Sequence, residues 1–311
     1  MQATAPACKA ASRDYTRLPS PAGPRLDIPD SRMSTTDTIA FIGGGNMARS
    51  LVAGLRARGA TSPSIRVAEP VAGLRSALQR DFGVEVFPAA ADAVASADTW
   101  VLAAKPQSLR AICEGLSDIA RRQRPLVVSI AAGIGIAQLQ RWFDDADLPV
   151  VRAMPNVPAQ VGAGVTALHA GPQVAAAGRA QAERLLAAVG AVVWLDDEAA
   201  MDAVTAVSGS GPAYVFLLAE AMLDAARAQG LPPDTARTLV LQTMLGAARM
   251  LSEDSASPAE LRARVTSPGG TTQAAIEILE GGGFQDLIAR AIAAAHARSQ
   301  QLSLAQDPPC A

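Results

Sequence analysis

The stretch TIAFIGGGNMARSLVAGLRARG, residues 38–59, decides the fold of this chain. Its first residues form a short apolar run that is typical of a buried strand, and three glycines follow at once. Apolar residues then recur at helical spacing from Met47 to Leu55, and Gly59 ends the pattern. The stretch therefore predicts a strand, a glycine-rich turn and an amphipathic helix in succession.

The spacing of residues in that turn matches the dinucleotide-binding pattern G-x-G-x-x-[GA] at Gly43, Gly45 and Ala48. The first glycine permits the tight turn, and Ala48 allows the helix to pack closely on the strand. Gly45 lets the backbone approach a pyrophosphate at the helix N-terminus, where unpaired N–H groups attract anions. A glycine-rich turn without a ligand is the alternative. The strand before and the helix after favour dinucleotide binding.

Further apolar segments alternate with helical stretches, and they read SIRVAEP, VEVFP, TWVLAAKP, PLVVSIAAG and PVVRAMPN. This alternation predicts an α/β fold, a Rossmann-type doubly wound parallel sheet. Ligands of such sheets bind beyond the carboxyl ends of the strands. Residues 105–106, 131–133 and 154–156 follow strands of this kind and are candidates for contact with a ligand.

The second half of the chain lacks strand signals and predicts an all-α domain whose apolar faces are too large for one small bundle to bury. This excess favours a homodimer. Two helices are predicted on either side of a break at residues 208–211. The expected organisation is a disordered extension over 1–36, a Rossmann domain over 37–197, a helical substrate-binding and dimerisation domain over 198–305, and a tail over 306–311.

Composition excludes several classes of function. The 311 residues are 50% hydrophobic and 18% charged with a formal net charge of −2, which is typical of a globular protein. Aromatic residues make up 4%, and there is no basic surplus, so nucleic-acid binding is not expected. No apolar run approaches the roughly 18 residues of a membrane span, so we expect no membrane contact. The cysteine usage favours a reducing compartment, and a cytoplasmic protein is expected.

The scattered cysteines support neither a disulfide framework nor a metal site, because the chain has no C-x-x-C pair. Cys8 and Cys310 fall in the predicted tails, and Cys113 is interpreted as a small core residue. The Pro- and Ser-rich N-terminal extension has no secretory pattern. Met33 is an alternative translation start, since MSTTDTIAFIGGG leads directly into the first strand.

The segment VTSPGGTT, residues 265–272, carries more hydroxyl groups than a helix cap requires. Ser267, Thr271 and Thr272 offer hydroxyl donors, and the glycines expose backbone N–H groups. The segment precedes a predicted helix, whose N-terminus favours an anion. It predicts a site for a small carboxylate, with a plain interhelical turn as the alternative.

Few residues are available for acid–base chemistry. The two histidines, His169 and His296, lie outside polar motifs and are interpreted as structural. The two lysines are Lys9 and Lys105, so no lysine of the helical domain can act as a general acid. This excludes the mechanism of β-hydroxyacid dehydrogenases. An imine, which accepts a hydride without a strong protein acid, fits such a site.

Six segments, taken in order, resemble pyrroline-5-carboxylate reductase over residues 38–303, namely FIGGGNMA, AAKPQ, SIAAG, MPNVPAQVGAG, AVSGSGPAY and VTSPGGTTQAAIEILEGGGF. The resemblance implies reduction of (S)-1-pyrroline-5-carboxylate to L-proline with NADPH or NADH, the final step of proline biosynthesis. It also implies a Rossmann domain joined to a helical dimerisation domain, and dimers that assemble into decamers. The N-terminal extension has no counterpart in the family.

The candidate site residues follow from the motifs and from this resemblance. Those expected to bind the cofactor are Ile42, Gly43, Gly44, Gly45, Asn46, Met47, Glu69, Ala103, Ala104, Lys105, Pro106, Ala131 and Ala132. Those expected to bind the substrate are Glu198, Ser267, Gly270, Thr271 and Thr272. The resemblance gives Thr272 the catalytic role, a hydrogen bond to the ring nitrogen. No metal ligands are expected.

Cofactor preference stays open at this point. Glu69 follows the second strand, where a carboxylate favours the 2′-hydroxyl of NAD. Arg66 and Arg75 are close in sequence, so a 2′-phosphate is not excluded. Two other functions also stay open, a reductase of a six-membered cyclic imine and a protein that senses NAD(P) without turnover.

Overall fold

The computed structural model of the chain describes residues 38–61 and 64–306, with side chains described up to residue 304. The predictions for the disordered extension, the start at Met33, the tail after residue 306, Lys9 and the two terminal cysteines concern residues outside these ranges.

An eight-stranded sheet forms the first part of the described chain, in the order β3-β2-β1-β4-β5-β6-β7-β8. Every neighbouring pair is parallel except β6 and β7. The strands are β1 Ile39–Ile42, β2 Ile65–Ala68, β3 Glu85–Phe87, β4 Thr99–Leu102, β5 Leu126–Ser129, β6 Val150–Met154, β7 Gly164–Ala170 and β8 Gly190–Trp194. The sheet is parallel-dominated and Rossmann-like, which confirms the predicted fold class.

Helices cover both faces of the sheet because alternate strand residues point to opposite sides. In β1, Ile39 and Phe41 belong to one buried cluster, with residues of α1, α2 and α6. Ala40 and Ile42 belong to a second, with residues of α3, α4 and α5. The helices are α1 Asn46–Ala57, α2 Ala72–Phe82, α3 Ala90–Val94, α4 Pro106–Gln123, α5 Ile136–Phe143 and α6 Ala176–Ala187.

Strand β7 departs from the fully parallel sheet that the sequence predicts, since it runs antiparallel to β6. The link between them, residues 155–163, holds only a short 3₁₀ turn at Val157–Val161. A parallel connection needs a crossover of a dozen or more residues, so this link is too short to return the chain to the other edge. The chain therefore turns back beside β6, and α6 then carries it to β8, which is parallel to β7.

The remainder of the described chain is helical, as predicted. Its helices are α7 Met201–Val204, α8 Gly211–Ala228, α9 Pro233–Glu253, α10 Pro258–Arg264, α11 Thr271–Gly281 and α12 Phe284–Gln306. The structure narrows the predicted break at residues 208–211 to a bend at Ser210, which is the N-cap of α8. A π-helical turn, Thr205–Gly209, continues α7 up to this bend, and the Ser210 N–H donates to the Thr205 carbonyl at 2.8 Å. Pro212 stands in the first turn of α8, as expected.

The helical part leaves large apolar side chains uncovered. On α8, Phe216 is 64% and Leu217 is 66% exposed, and Ile278 of α11 is 76% exposed. The helical segment Glu198–Ala228 is also long and apolar enough, by length and composition alone, to cross a membrane, and 6% of its most apolar window is buried. Apolar area of this extent on one part of a protein indicates a surface that another molecule covers.

Candidate functional site

The glycine turn after β1 is held between two neighbouring strands. The Gly43 N–H donates to the carbonyl of Ala68, at the end of β2, at 2.8 Å. Gly43 has φ +107°, and a Cβ there would lie 2.7 Å from the carbonyl oxygen of Ala103, which follows β4. Only glycine fits both the backbone angle and the close approach of that chain. The turn is therefore fixed by contacts within the protein.

Gly45 differs, because nothing in the protein requires a glycine there. It is the N-cap of α1, no side chain caps that helix, and its φ of −69° suits any residue. A Cβ on Gly45 would meet no atom within 4 Å, while Ala48 below it is buried. The open space lies beside the unpaired N–H groups of a twelve-residue helix, where a phosphate is favoured. These residues fit the pyrophosphate of a dinucleotide.

Glu69 lies directly after β2 and is 7% exposed. Its Oε2 accepts the N–H of Gly44 at 3.0 Å, and its Oε1 accepts the N–H of Val71 at 3.0 Å. Arg75 does not pair with this carboxylate. Its Nη1 instead donates to the carbonyls of Glu69 and Pro70, both at 2.7 Å. The carboxyl group is thus fixed against the glycine turn by backbone groups.

Three chain segments that carry the predicted cofactor residues meet at one edge of the sheet. Strands β1, β4 and β5 are adjacent and parallel, and their last residues, Ile42, Leu102 and Ser129, are in register. The segments that follow them therefore emerge side by side. They contain Gly43, Gly44, Gly45, Asn46 and Met47 after β1, Ala103, Ala104, Lys105 and Pro106 after β4, and Ala131 and Ala132 after β5.

The segment 265–272 precedes α11, and its hydroxyls do not cap that helix. The N-cap is Gly270, without a side-chain cap. Within the described ranges, the hydroxyls of Ser267, Thr271 and Thr272 have no hydrogen-bond partner. The Gly269 N–H is satisfied by Gln273 Oε1 at 2.7 Å. The segment is mostly exposed and presents free hydroxyls at a helix N-terminus.

Glu198 lies where the chain leaves the sheet, and its carboxylate is already bonded. Its Oε1 accepts the N–H of Ile136 at 3.0 Å and pairs with Nη1 of Arg152 at 2.9 Å. The Arg152 side chain is 11% exposed and that of Glu198 is 30% exposed. The structure thus places Glu198 between β6 and the start of α5. Its partners stand 46 and 62 residues away in sequence, and no local pattern pointed to them.

Asn156 has a structural role that the sequence did not predict. The sequence indicated only that it follows a strand. It is buried, and its Nδ2 donates to the carbonyl of Ser208 at 3.1 Å, while its Oδ1 accepts the N–H of Val165 at 3.0 Å. It therefore ties the end of β6 to the π-helical turn. The methyl of Met154 would lie 2.7 Å from a Cβ on Gly209, so the Met154 side chain packs directly against that turn.

The described residues provide little acid–base chemistry at these segments. His169 lies in β7, where its Nδ1 contacts the carbonyl of Leu195 at 3.0 Å, in keeping with a structural role. Burial raises the pKa of the Cys113 thiol to about 12, so this group is not a nucleophile at neutral pH. No cluster of three or more His, Cys, Asp or Glu residues suited to a metal occurs in the part of the chain that the structure describes.

Comparison with known proteins identifies the family. The pyrroline-5-carboxylate reductase dimerisation family matches residues 198–302, and the family described as NADP oxidoreductase coenzyme F420-dependent matches residues 38–133. A pyrroline-5-carboxylate reductase of Pseudomonas aeruginosa is 51% identical over 269 residues, which are 86% of this chain and 98% of the relative. The chain belongs to the pyrroline-5-carboxylate reductase family.

Solved structures of that family share the fold. The pyrroline-5-carboxylate reductase of Coxiella burnetii superposes with a TM-score of 0.82 at 41% identity, covering 86% of this chain and 98% of its own. The pyrroline carboxylate reductase of Plasmodium falciparum, solved with NADP bound, gives a TM-score of 0.77 at 25% identity over 86% and 99% of the two chains. The helical part of the chain is thus a dimerisation domain of an oxidoreductase.

Proposed function

We propose that the chain reduces (S)-1-pyrroline-5-carboxylate to L-proline with NADPH or NADH, the final step of proline biosynthesis. The observation that carries this proposal is the pair of unused binding elements. One is the open N-terminus of α1 at Gly45, and the other is the segment 265–272 with its uncapped hydroxyls. The first suits a pyrophosphate and the second a small carboxylate. Membership of the reductase family supports their use together.

Reduction of the C=N bond needs no strong acid or base from the protein. The bound nicotinamide supplies a hydride to the ring carbon of the C=N bond, and the ring nitrogen carries a proton from solvent. Ser267 and Thr271 hold the carboxylate through their hydroxyls and the N–H groups of the first turn of α11. Gly270, whose own N–H donates to the Ser267 carbonyl at 3.0 Å, leaves room for the carboxylate as the N-cap without a side chain. The Thr272 hydroxyl hydrogen-bonds the ring nitrogen and sets the angle of the ring. A site without a lysine or histidine in these segments is sufficient for this reaction.

The role of Glu198 is a separate part of the proposal. Its bonded oxygen, Oε1, holds the start of α5 against β6, and its Oε2 has no hydrogen-bond partner among the described residues. We infer that Oε2 faces the polar end of the substrate. Because Arg152 compensates the charge, the carboxylate stays compatible with an anionic substrate.

Substituting Thr272→Ala tests the assigned catalytic group. We expect kcat/KM to fall roughly 10- to 150-fold, since one hydrogen bond to a charged group contributes about 1.5–3 kcal/mol. The dissociation constant of NADH should stay within about twofold of the wild type, because a twofold change is below 0.5 kcal/mol. Thr266→Ala is the matched control, because its hydroxyl donates to the Arg262 carbonyl at 2.7 Å. Equal turnover in both variants would remove the role of Thr272.

The same assay separates the rival functions. Oxidation of NADPH and NADH is followed with pyrroline-5-carboxylate and, separately, with its six-membered homologue. Faster turnover of the homologue identifies the reductase of six-membered imines. Binding of either cofactor without oxidation identifies a sensor.

The exposed apolar helices also enter the proposal. We infer that the uncovered faces of α8 and α11 pack against a second copy of the chain, and that dimers assemble into decamers in the cytoplasm. The burial of residues such as Phe216 and Leu217 between two copies accounts for the apolar segment Glu198–Ala228 without a lipid. Light scattering of the purified protein gives the number of copies. A single-chain mass, or recovery with membranes, would contradict this assembly.

A further inference from the structure

Glu69 is the one buried acidic residue in the part of the chain that the structure describes, and the proposed hydride transfer does not use it. Its two oxygens accept backbone N–H groups on either side, from Gly44 and from Val71, each at 3.0 Å. A carboxylate held by two backbone donors cannot swing away from a ligand as an exposed side chain can. Whatever binds beside it meets a fixed negative group.

That fixed group lies where the adenosine ribose of a dinucleotide belongs, a placement that rests on the proposed function. The pyrophosphate occupies the N-terminus of α1, one residue beyond Gly44, and β2 is the neighbour of β1. The ribose attached to the pyrophosphate therefore lies over the end of β2, at Glu69. Each carboxylate oxygen has two lone pairs, so one on each remains to accept a ribose hydroxyl.

A 2′-phosphate at the same place would be disfavoured. Its negative charge would face the carboxylate of Glu69, and like charges at contact distance repel. The two arginines nearest to Glu69 in sequence, Arg66 and Arg75, both donate to groups other than its carboxylate. Arg66 donates to Ser96 Oγ and to the Asp92 carbonyl, and its guanidinium stacks 4.5 Å from the ring centre of Phe87.

Arg75 is the second cation, and its Nη1 is shared between two carbonyls. Its guanidinium is thereby fixed on the backbone at the end of β2 and not on the side-chain oxygens of Glu69. We propose that Glu69 is the specificity-determining residue for the cofactor, and that this reductase binds NADH in preference to NADPH.

Direct binding tests the proposal without turnover. The dissociation constants of NADH and NADPH are measured on the wild-type protein by the change in nicotinamide fluorescence, at one ionic strength. We expect NADH to bind about tenfold more tightly or better, which corresponds to about 1.4 kcal/mol. Equal affinities, or tighter binding of NADPH, would overturn the proposal.

Variants assign the effect to the residue. Glu69→Gln should bring the two dissociation constants to within about threefold, which is less than 1 kcal/mol. Glu114→Gln is the matched control, because it removes a half-exposed carboxylate on α4 that pairs with Arg110 and with neither Arg66 nor Arg75. It should leave the ratio unchanged. A preference for NADH that survives in Glu69→Gln would show that another residue sets it.

Three further measurements distinguish a loss of charge from a loss of structure and test the role of Arg75. In Glu69→Gln an amide NH₂ group replaces one of the two oxygens that accept backbone N–H groups, so thermal unfolding of this variant is recorded. Glu69→Ser is a second variant. It removes the charge and, unlike glutamine, places no amide NH₂ group against the backbone N–H groups of Gly44 and Val71. Arg75→Gln is measured in parallel. If that substitution weakens NADPH alone and NADPH binds as tightly as NADH in the wild type, Arg75 holds the 2′-phosphate and the proposal fails.

The outcome is distinct from that of the proposed function. If neither dinucleotide binds, the cofactor assignment itself is wrong. If both bind equally and pyrroline-5-carboxylate is reduced, the function stands and the role of Glu69 falls. Tight and selective binding of NADH without reduction of the imine would leave the role of Glu69 in place and remove the function.

Discussion

The substitution Gly45→Ala separates two effects of the glycine turn, its contribution to cofactor binding and its contribution to the stability of the fold. At Gly45 the backbone angles suit any L-residue, and an added Cβ meets no protein atom within 4 Å. Alanine reduces the entropy of the unfolded chain, which stabilises by about 0.4–1 kcal/mol, but it is a poorer N-cap than glycine by a similar amount. We therefore expect the free energy of unfolding to change by less than about 1 kcal/mol.

Cofactor binding should respond much more strongly to the same methyl group. The Cβ would occupy the space beside the first N–H groups of α1 and push the pyrophosphate away from them. Loss of one hydrogen bond to a charged group costs about 1.5–3 kcal/mol, which is a roughly 10- to 150-fold weaker dissociation constant.

Gly43→Ala provides the contrast within the same turn. Here φ is +107°, and the added Cβ would lie 2.7 Å from the Ala103 carbonyl oxygen. Backbone strain of this kind costs about 1–3 kcal/mol, and the clash with main-chain atoms adds to it. Gly43→Ala should therefore lower stability as well as affinity.

Urea unfolding and fluorescence titration with NADH measure the two quantities on each variant. Gly115→Ala is the control, because Gly115 is exposed within α4 and its Cβ would also meet nothing. It should gain up to about 1 kcal/mol of stability from helix propensity and keep its affinity for NADH. Wild-type affinity in Gly45→Ala, or a loss of stability as large as that in Gly43→Ala, would refute the reasoning.

Two further predictions concern side chains away from the site. Hydrogen bonds from the backbone N–H of Ser257, and to a lesser extent from its hydroxyl, hold the pKa of Glu260 below its ordinary value of 4.5. The ionised Glu260 therefore stabilises α10 above pH 4.5, and this stabilisation is lost as the pH falls through the folded-state pKa. Glu260→Gln should thus lower the urea midpoint at pH 7, and the difference should close below pH 4.5; a gap independent of pH would contradict this. Burial raises the pKa of the Cys113 thiol to about 12, so the folded protein should not react with a thiol reagent at about pH 8. In a variant that carries Cys8→Ser and Cys310→Ser, we expect Cys113 to be labelled only after unfolding in urea. Fast labelling of the folded variant would show that the thiol is accessible.

The sequence predicted those parts of the molecule whose causes are local. The strand, glycine turn and helix of residues 38–59 depend on hydrophobic period and on a glycine that must adopt positive φ, both of which are legible within a short stretch of chain. The helices of the second half were predicted for the same reason. Their positions in the structure confirm the pattern.

Features that depend on partners far along the chain were not predicted. The reversal at β7 follows from the length of one link, and the fixed positions of Glu69 and Glu198 follow from N–H groups of other elements. The residues of segment 265–272 were singled out by composition. The structure adds that Gly270, and no hydroxyl, is the cap of α11, while the assigned binding roles stay predictions.

The π-helical turn between α7 and α8 sets the rotational phase of the dimerisation surface. A π turn holds one residue more than an α turn, and each residue of an α-helix advances the side chains by about 100°. Deleting a single residue within Thr205–Gly209 would therefore rotate α8 by more than a quarter of a revolution about its axis, relative to α7. Its apolar stripe would then face a different direction, so a length change of one residue here would alter how two copies meet without any change in the sequence of α8.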